Sequence, residues 1–168
     1  MSANFDDAKC ITESSKRTFG LCDDPPPAEN PAYIDETNGS KWIAVVVNPR
    51  QYEVTFLALD HCIEALTEDG RQKRRCEGVL TYNDTIIFVE LKERSTKGNN
   101  WIKDAEDQLK QSIEFCEEAG YSATYRYKRA YIANGSRPRE RKGQQARMNR
   151  FKESTGYVLR IQARIDLV

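Results

Sequence analysis

The 168-residue chain contains one histidine, five cysteines and no Cys-x-x-Cys pair. Zinc sites and disulfide frameworks draw on several such residues at regular spacing, so the sequence predicts neither. We expect the cysteines to be small, buried, reduced side chains of a cytoplasmic protein. They are Cys10, Cys22, Cys62, Cys76 and Cys116.

The sequence also lacks an apolar run of about 18 residues that could span a bilayer. Its first twenty residues do not have the order of charge and hydrophobicity that a secretory signal shows. Charged residues make up 31% of the chain. The sequence therefore predicts a soluble protein of one domain, 1–168, with no membrane partner.

A net charge of zero conceals an uneven distribution of charge. Residues 1–40 hold eight acids and three bases, whereas residues 126–152 hold ten bases and one acid. The basic stretch is a candidate surface for nucleic-acid phosphates, and a solvated face that offsets the acidic half is an equally good interpretation. The candidate nucleic-acid-binding residues are Arg137, Arg139, Arg141, Lys142, Arg147 and Arg150.

A β-hairpin is predicted where two apolar runs, Cys76 to Tyr82 and Thr85 to Leu91, meet at Asn83-Asp84. β-Branched and aromatic residues favour strands, and Asn and Asp tolerate the positive φ of a tight turn. In a two-residue loop, opposed residue numbers sum to 167, so Glu77 should face Glu90.

Side chains alternate between the two faces of a strand, so Lys92 should project beside Glu90 and Glu77. Like charges directly opposed on a sheet are destabilising, and two carboxylates there favour a cation such as Lys92 or a divalent metal. The alternative is a solvated hairpin end whose charges keep an edge strand soluble.

Glu77, a hydrophobic strand and then Glu90-Leu91-Lys92 resemble the acid…(D/E)xK motif of the PD-(D/E)xK, restriction-endonuclease-like nucleases. The resemblance implies that Glu77 and Glu90 bind Mg²⁺, with Mn²⁺ as a substitute, and that Lys92 positions or activates water. It also implies the backbone carbonyl of Leu91 as a further ligand. The family usually carries Asp at the first position, where this chain has Glu77.

Two further residues are weaker site candidates. Asp60 lies upstream of the hairpin and is similar in position to an acid that sometimes joins the metal site in such nucleases, although loop capping is at least as good an account of it. Gln108 lies on a predicted helix and resembles a glutamine that some branches of the family carry beside the active site. His61 has a pKa range suited to a general base, yet a lone histidine is more often structural.

Elements flanking the hairpin complete the predicted order. Residues 41–48 and 52–59 are predicted as a second hairpin, and 101–119 as a helix because apolar residues recur at spacings of three and four. Strands are also predicted over 16–22, 122–133 and 157–167, and a basic helix over 139–154. The prediction is a mixed α/β (α+β) fold whose restriction-endonuclease-like central sheet is flanked by helices.

Within one domain we expect an acidic amino-terminal arm (1–40), a nuclease-like core (41–134) and a basic helix plus terminal strand (135–168). The expected function is that of a Mg²⁺-dependent nuclease, with DNA as the favoured substrate and a homodimer as one arrangement. The alternative is a catalytically inactive nuclease-fold protein that binds a protein partner, such as an inhibitor or immunity-type protein.

Overall fold

The computed structural model describes residues 4–25, 27–93, 100–136, 139 and 142–168. Within them the chain forms ten β-strands, two α-helices and two single-turn 3₁₀-helices, at Ala8–Cys10 and Gly39–Lys41. The strands are β1 (Ile11–Ser14), β2 (Thr18–Cys22), β3 (Tyr33–Asp35), β4 (Ala44–Val47), β5 (Val54–Ala58), β6 (Gly78–Tyr82), β7 (Thr85–Lys92), β8 (Tyr127–Asn134), β9 (Val158–Ile161) and β10 (Arg164–Asp166). The α-helices are α1 (Asn100–Glu118) and α2 (Gln145–Thr155).

Six strands form a mixed sheet in the order β1-β5-β6-β7-β8-β9. The pairs β1-β5, β5-β6 and β6-β7 are antiparallel, whereas the pairs β7-β8 and β8-β9 are parallel. Parallel neighbours need long crossover connections, and α1 and α2 lie within them. The predicted α/β class, with a central mixed sheet flanked by helices, is confirmed at this level.

A second sheet, in the order β10-β4-β2-β3, covers the other face of the large sheet. One core lies between the helices and the large sheet, and another lies between the two sheets. Helix α1 buries the face that its spacing predicts, and Gly120 follows it at φ 78°, where a left-handed residue ends a helix. The residues of that face are Ile102, Ala105, Leu109, Ile113 and Cys116.

Two sequence predictions about the strands are wrong. Strands β4 and β5 do not form a hairpin, because β4 pairs with β2 and β10 while β5 pairs with β1 and β6. Strands β1, β2 and β3, which come from the amino-terminal stretch, pair within the two sheets. The terminal strand is two strands, with β9 in the large sheet and β10 in the small one. Alternating apolar residues reveal a strand but not its partner, and the partner decides each of these cases.

The prediction that all five cysteines are reduced is wrong for Cys10 and Cys62, which form a disulfide. Antiparallel pairing sets Ile11 opposite Leu57, so Cys10 lies beside the turn that follows β5, with the two Cα atoms 5.8 Å apart. Cys22, Cys76 and Cys116 are free and buried, as predicted. Since stable disulfides are rare in reducing compartments, the pair gives no support to the cytoplasmic prediction.

Candidate carboxylate-lysine site

The predicted hairpin is present in the predicted register. Asn83 adopts φ 47° in the turn, Tyr82 pairs with Thr85, and the ladder continues to Gly78 and Val89. At the next position the backbone N–H of Glu77 donates to Oε1 of Glu90, at 3.2 Å. The two glutamates that the sequence predicts as neighbours are therefore in contact across the strand pair, through the backbone of Glu77 and the carboxylate of Glu90.

Both glutamates lie in the interior, Glu90 near the carboxyl end of β7 and Glu77 directly before the amino end of β6. Glu90 is fully buried and Glu77 is 8% exposed. Phe88 lies two residues before Glu90, and Val79 lies two residues after Glu77, so each shares a face of its strand with that glutamate. Both pack in the helix-side core, and both glutamates therefore project toward α1. The side chain of Leu91 packs in the core between the sheets. Because that side chain has no donor atom, Leu91 could bind a metal only through its backbone carbonyl.

Lys92 and Gln108 are brought to the pair as the sequence predicts. Nζ of Lys92 lies 3.2 Å from Oε2 of Glu90 and donates to Oε1 of Gln108, at 2.9 Å. The amide nitrogen of Gln108 in turn donates to the carbonyl of Arg75, at 3.3 Å. Helix α1 thus fixes the ammonium group of Lys92 through a glutamine whose own orientation is set by the backbone.

The electrostatics of this site disfavour two ionised carboxylates. Burial raises the pKa of Glu77, and the neighbouring charge of Glu90 raises it further. Burial also raises the pKa of Glu90, while Lys92 opposes that shift. Oε2 of Glu77 is buried and has no hydrogen-bond partner among the described residues. A cation placed at that oxygen would satisfy it and favour both charges.

The donor set suits one kind of metal better than others. Among the described residues, no group of three or more His, Cys, Asp or Glu side chains is arranged to hold a metal. Structural zinc and calcium sites need such a set, whereas Mg²⁺ is commonly held by one or two carboxylates and completes its shell with water and substrate phosphates. Glu77 and Glu90 fit the second pattern.

Asp60 lies at the margin of the site and already has two partners. Its carboxylate oxygens lie 3.3 Å from Nη2 of Arg75 and 3.4 Å from Nε2 of His61. Arg75 also donates to the carbonyls of Leu59 and Ile63, so it ties down the turn that holds Asp60. The negative charge of Asp60 still contributes to the raised pKa of Glu77. Its contacts fit the loop-capping interpretation, and its role as a metal ligand stays a prediction.

Asp23 belongs to the same acidic neighbourhood, and sequence reasoning missed it. It follows β2 directly, and its half-buried carboxyl has a pKa raised by burial. His61 opposes that shift, whereas Asp60 adds to it. The only signal in the sequence was an acid placed directly after a buried strand, within a stretch that otherwise has the composition of a loop.

The part of the basic stretch that follows β8 leaves the sheet beside the site. Gly135 donates its N–H to the carbonyl of Lys92, at 2.8 Å, so the chain after β8 leaves the sheet at the end where Lys92 lies. Arg139, Lys142 and Arg150 are exposed, whereas Arg147 is paired with Glu106 of α1 at 2.8 Å. The candidates Arg137 and Arg141 lie outside the described residues.

Comparisons of the chain with protein-family models, with curated proteins and with solved structures found no match. Neither described helix has the length and apolar character needed to cross a membrane.

Proposed function

We propose that this protein is a Mg²⁺-dependent phosphodiesterase that cleaves nucleic acid, with DNA as the expected substrate and a restriction-endonuclease-like fold. The observation that carries the proposal is the buried Glu77–Glu90 pair adjoining Lys92, in which one carboxylate oxygen of Glu77 has no hydrogen-bond partner among the described residues. Burying two carboxylates costs free energy unless a cation compensates for their charge. A metal ion bound at this pair would supply that compensation.

The order of elements supports the same proposal. Strands β5, β6 and β7 are followed by α1 and then by β8. This is the succession of three strands, a helix and a strand that the resemblance to the nuclease family implies. Ligand sites of open sheets with parallel strands commonly lie at the carboxyl ends of those strands, where Glu90 and Lys92 are found.

Each residue has a distinct part in the proposed reaction. Glu77 and Glu90 would hold the metal, with the Leu91 carbonyl as a further ligand. When bound, Mg²⁺ would lower the pKa of a coordinated water and neutralise charge that develops on the phosphate. Lys92 would orient the attacking water, and Gln108 would hold the Lys92 ammonium group in position. The exposed bases Arg139, Lys142 and Arg150 would contact phosphates of the bound strand, and that contact should weaken as salt rises.

Cleavage of DNA with Mg²⁺ present tests the proposal. The near-isosteric Glu90→Gln and the substitution Lys92→Ala should each lower the rate by about 100-fold or more, as loss of a group that stabilises transition-state charge does. The matched control is Glu114→Ala, which removes an exposed glutamate of α1. Thermal melting should show that the variants remain folded. Undiminished cleavage by purified Glu90→Gln would overturn the proposal.

A binding protein without cleavage is the second candidate, and one contact favours it. Lys92 already neutralises part of the charge of Glu90, so the site has an internal cation of its own. Calorimetric titration with Mg²⁺ and Mn²⁺ separates the two candidates. A metal centre gives binding that Glu77→Gln abolishes, whereas the inactive scaffold gives no heat of binding in either protein.

A further inference from the structure

The end of the large sheet remote from the carboxylate pair contains a separate cleft. The hairpin turn lies here, and the carbonyl of Asp84 accepts from the N–H groups of Arg126 and Tyr127, both at 2.9 Å. This links the turn to the start of β8. The cleft has a volume of ≈ 390 Å³ and is lined by Tyr82, Asn83, Asp84, Thr85, Tyr127, Arg129 and Val168.

Tyr127 is unusually exposed for an aromatic residue in a strand. It is 48% exposed, whereas Tyr131, four residues further along the same face, is 5% exposed. The guanidinium of Arg126 lies over the Tyr127 ring, 5.3 Å from its centroid. A planar cation and an aromatic ring thus form a small stacked surface that water can reach.

Three arginines, one directly before β8, one in β8 and one in its neighbour β9, have no ion-pair partner among the described residues. Arg126, Arg129 and Arg160 form no ion pair with a carboxylate in the part of the chain that the structure describes. Lys128, on the other face of β8, is paired with Glu117 at 2.8 Å. Within β8, the cation of the helix-side face, Lys128, is therefore compensated, whereas the cation of the other face, Arg129, is not.

Arg129 and Arg160 share that face with the cleft. Arg160 is the register partner of Tyr131, so their side chains lie on the same side of the sheet. Arg129 and Arg160 both lower the pKa of Tyr131 against the effect of its burial, as cations close to its hydroxyl would. Arg129 also lines the cleft beside Tyr127. Two of the unpaired cations therefore extend from the cleft across β8 to β9.

We propose that this arginine–tyrosine surface, formed by Arg126, Tyr127, Arg129 and Arg160, binds single-stranded nucleic acid. An exposed aromatic ring can stack on an unpaired base, whereas the bases of a duplex already stack on one another. Uncompensated arginines match the phosphates of the same strand. The surface lies at the other end of β7 from Glu90, about 17 Å away along the strand, and on the opposite face of the sheet.

Fluorescence anisotropy with a labelled oligo(dT), in EDTA, tests the proposal without requiring metal or cleavage. Tyr127→Ala should weaken binding by about tenfold, the size of effect that loss of one stacked base produces, while Tyr127→Phe should bind as the unmodified protein does. Arg126→Ala/Arg129→Ala should lower the slope of log affinity against log salt by roughly 1.4. Asp84→Asn should tighten binding, because it removes the charge of an acidic side chain that lines the cleft.

The matched control is Lys9→Ala/Arg71→Ala, which removes two exposed cations elsewhere that are already paired with aspartates. It should leave the affinity and the salt slope unchanged. Equal affinity of Tyr127→Ala and the unmodified protein for oligo(dT) would overturn the proposal, as would tighter binding of a blunt duplex through the same residues. Repeating the titration with Glu90→Gln keeps the two proposals apart, since that substitution should abolish cleavage and leave oligo(dT) binding intact.

Discussion

The two ends of strand β7 hold charge in opposite ways. At its carboxyl end, Glu90 is fully buried and contacts Lys92, and the lysine is itself held by Gln108. Beyond its amino end, Arg126 and Tyr127 are exposed, and the arginine is not paired with any described carboxylate. One strand of eight residues thus connects a closed charged site with an open one.

The difference decides which physical effect dominates at each end. In the interior, charges interact through a medium of low effective dielectric, so each depends on its partner and on its protonation state. At the surface, water and salt screen the same charges, and their removal hardly changes folding. We therefore expect changes at the carboxyl end to alter stability and pH dependence, and changes at the amino end to alter ligand binding and its salt dependence.

The pH dependence of stability should show the largest effect of this contrast. The folded-state pKa values of Glu77 and Glu90 are raised above their ordinary value of 4.5, and that of Asp23 is raised above 3.8. The folded protein therefore retains protons that the unfolded chain has released. The resulting stability is fully present below the unfolded pKa and is lost as pH rises through the folded values. The free energy of unfolding should fall between pH 5 and pH 8, by up to about 1.4 kcal/mol per pH unit for each titrating group.

Urea denaturation of the metal-free protein across that range measures this slope. Glu77→Gln should reduce it without removing it, because Glu90 and Asp23 still titrate. Addition of Mg²⁺ at pH 8 should restore stability to the unmodified protein if the metal binds only the folded state. A slope that is the same in Glu77→Gln as in the unmodified protein would show that this carboxyl is ionised throughout the range.

The disulfide also belongs to the carboxyl-end region, because Cys62 follows Asp60 and His61 in the turn that Arg75 holds. It closes a loop with a sequence separation of 52. On chain-entropy grounds, Cys10→Ser/Cys62→Ser should lower the free energy of unfolding by about 4 kcal/mol. The measurement is urea denaturation with and without a reductant. In reductant, the unmodified protein should have the same free energy of unfolding as the double variant. The free energy of unfolding of the double variant should not change with reductant. If reductant does not lower the stability of the unmodified protein, the disulfide is contradicted.

The sequence predicted the parts of the fold whose signals are local. The turn residues Asn83 and Asp84 specify the hairpin register, and that register alone placed Glu77 against Glu90. The apolar spacing of α1 and the glycine after it specified a helix with its buried face. Lys92, which lies on the hairpin, was therefore predictable beside Glu90, whereas Gln108 was suggested only by the resemblance to the nuclease family.

The other parts of the fold and of the site depend on pairing between segments that are distant in the sequence. The small sheet joins β2, β3, β4 and β10, which come from both ends of the chain, and their alternation does not identify their neighbours. The strand pattern over 157–167 continues through the break between β9 and β10, so it suggested one strand where the structure has two. Asp23 was missed for the same reason, since it reaches the site only through the sheet that contains β2.

A matched pair of substitutions tests the contrast between the two ends most directly. Lys92→Met removes the cation from two buried carboxylates, and at pH 8 it should destabilise the metal-free protein by about 3 kcal/mol, as loss of one partner of a buried ion pair does. Arg129→Met removes a cation at the open end and should change stability by no more than about 0.5 kcal/mol. At pH 5 the Lys92→Met penalty should shrink, because the carboxyls can then take up protons, while Arg129→Met should stay neutral. Urea denaturation at pH 5 and pH 8 measures the change in the free energy of unfolding that each of the two substitutions causes. Equal penalties for the two variants would mean that water reaches the Glu90–Lys92 contact as freely as it reaches Tyr127, and the distinction between a closed and an open end of β7 would fail.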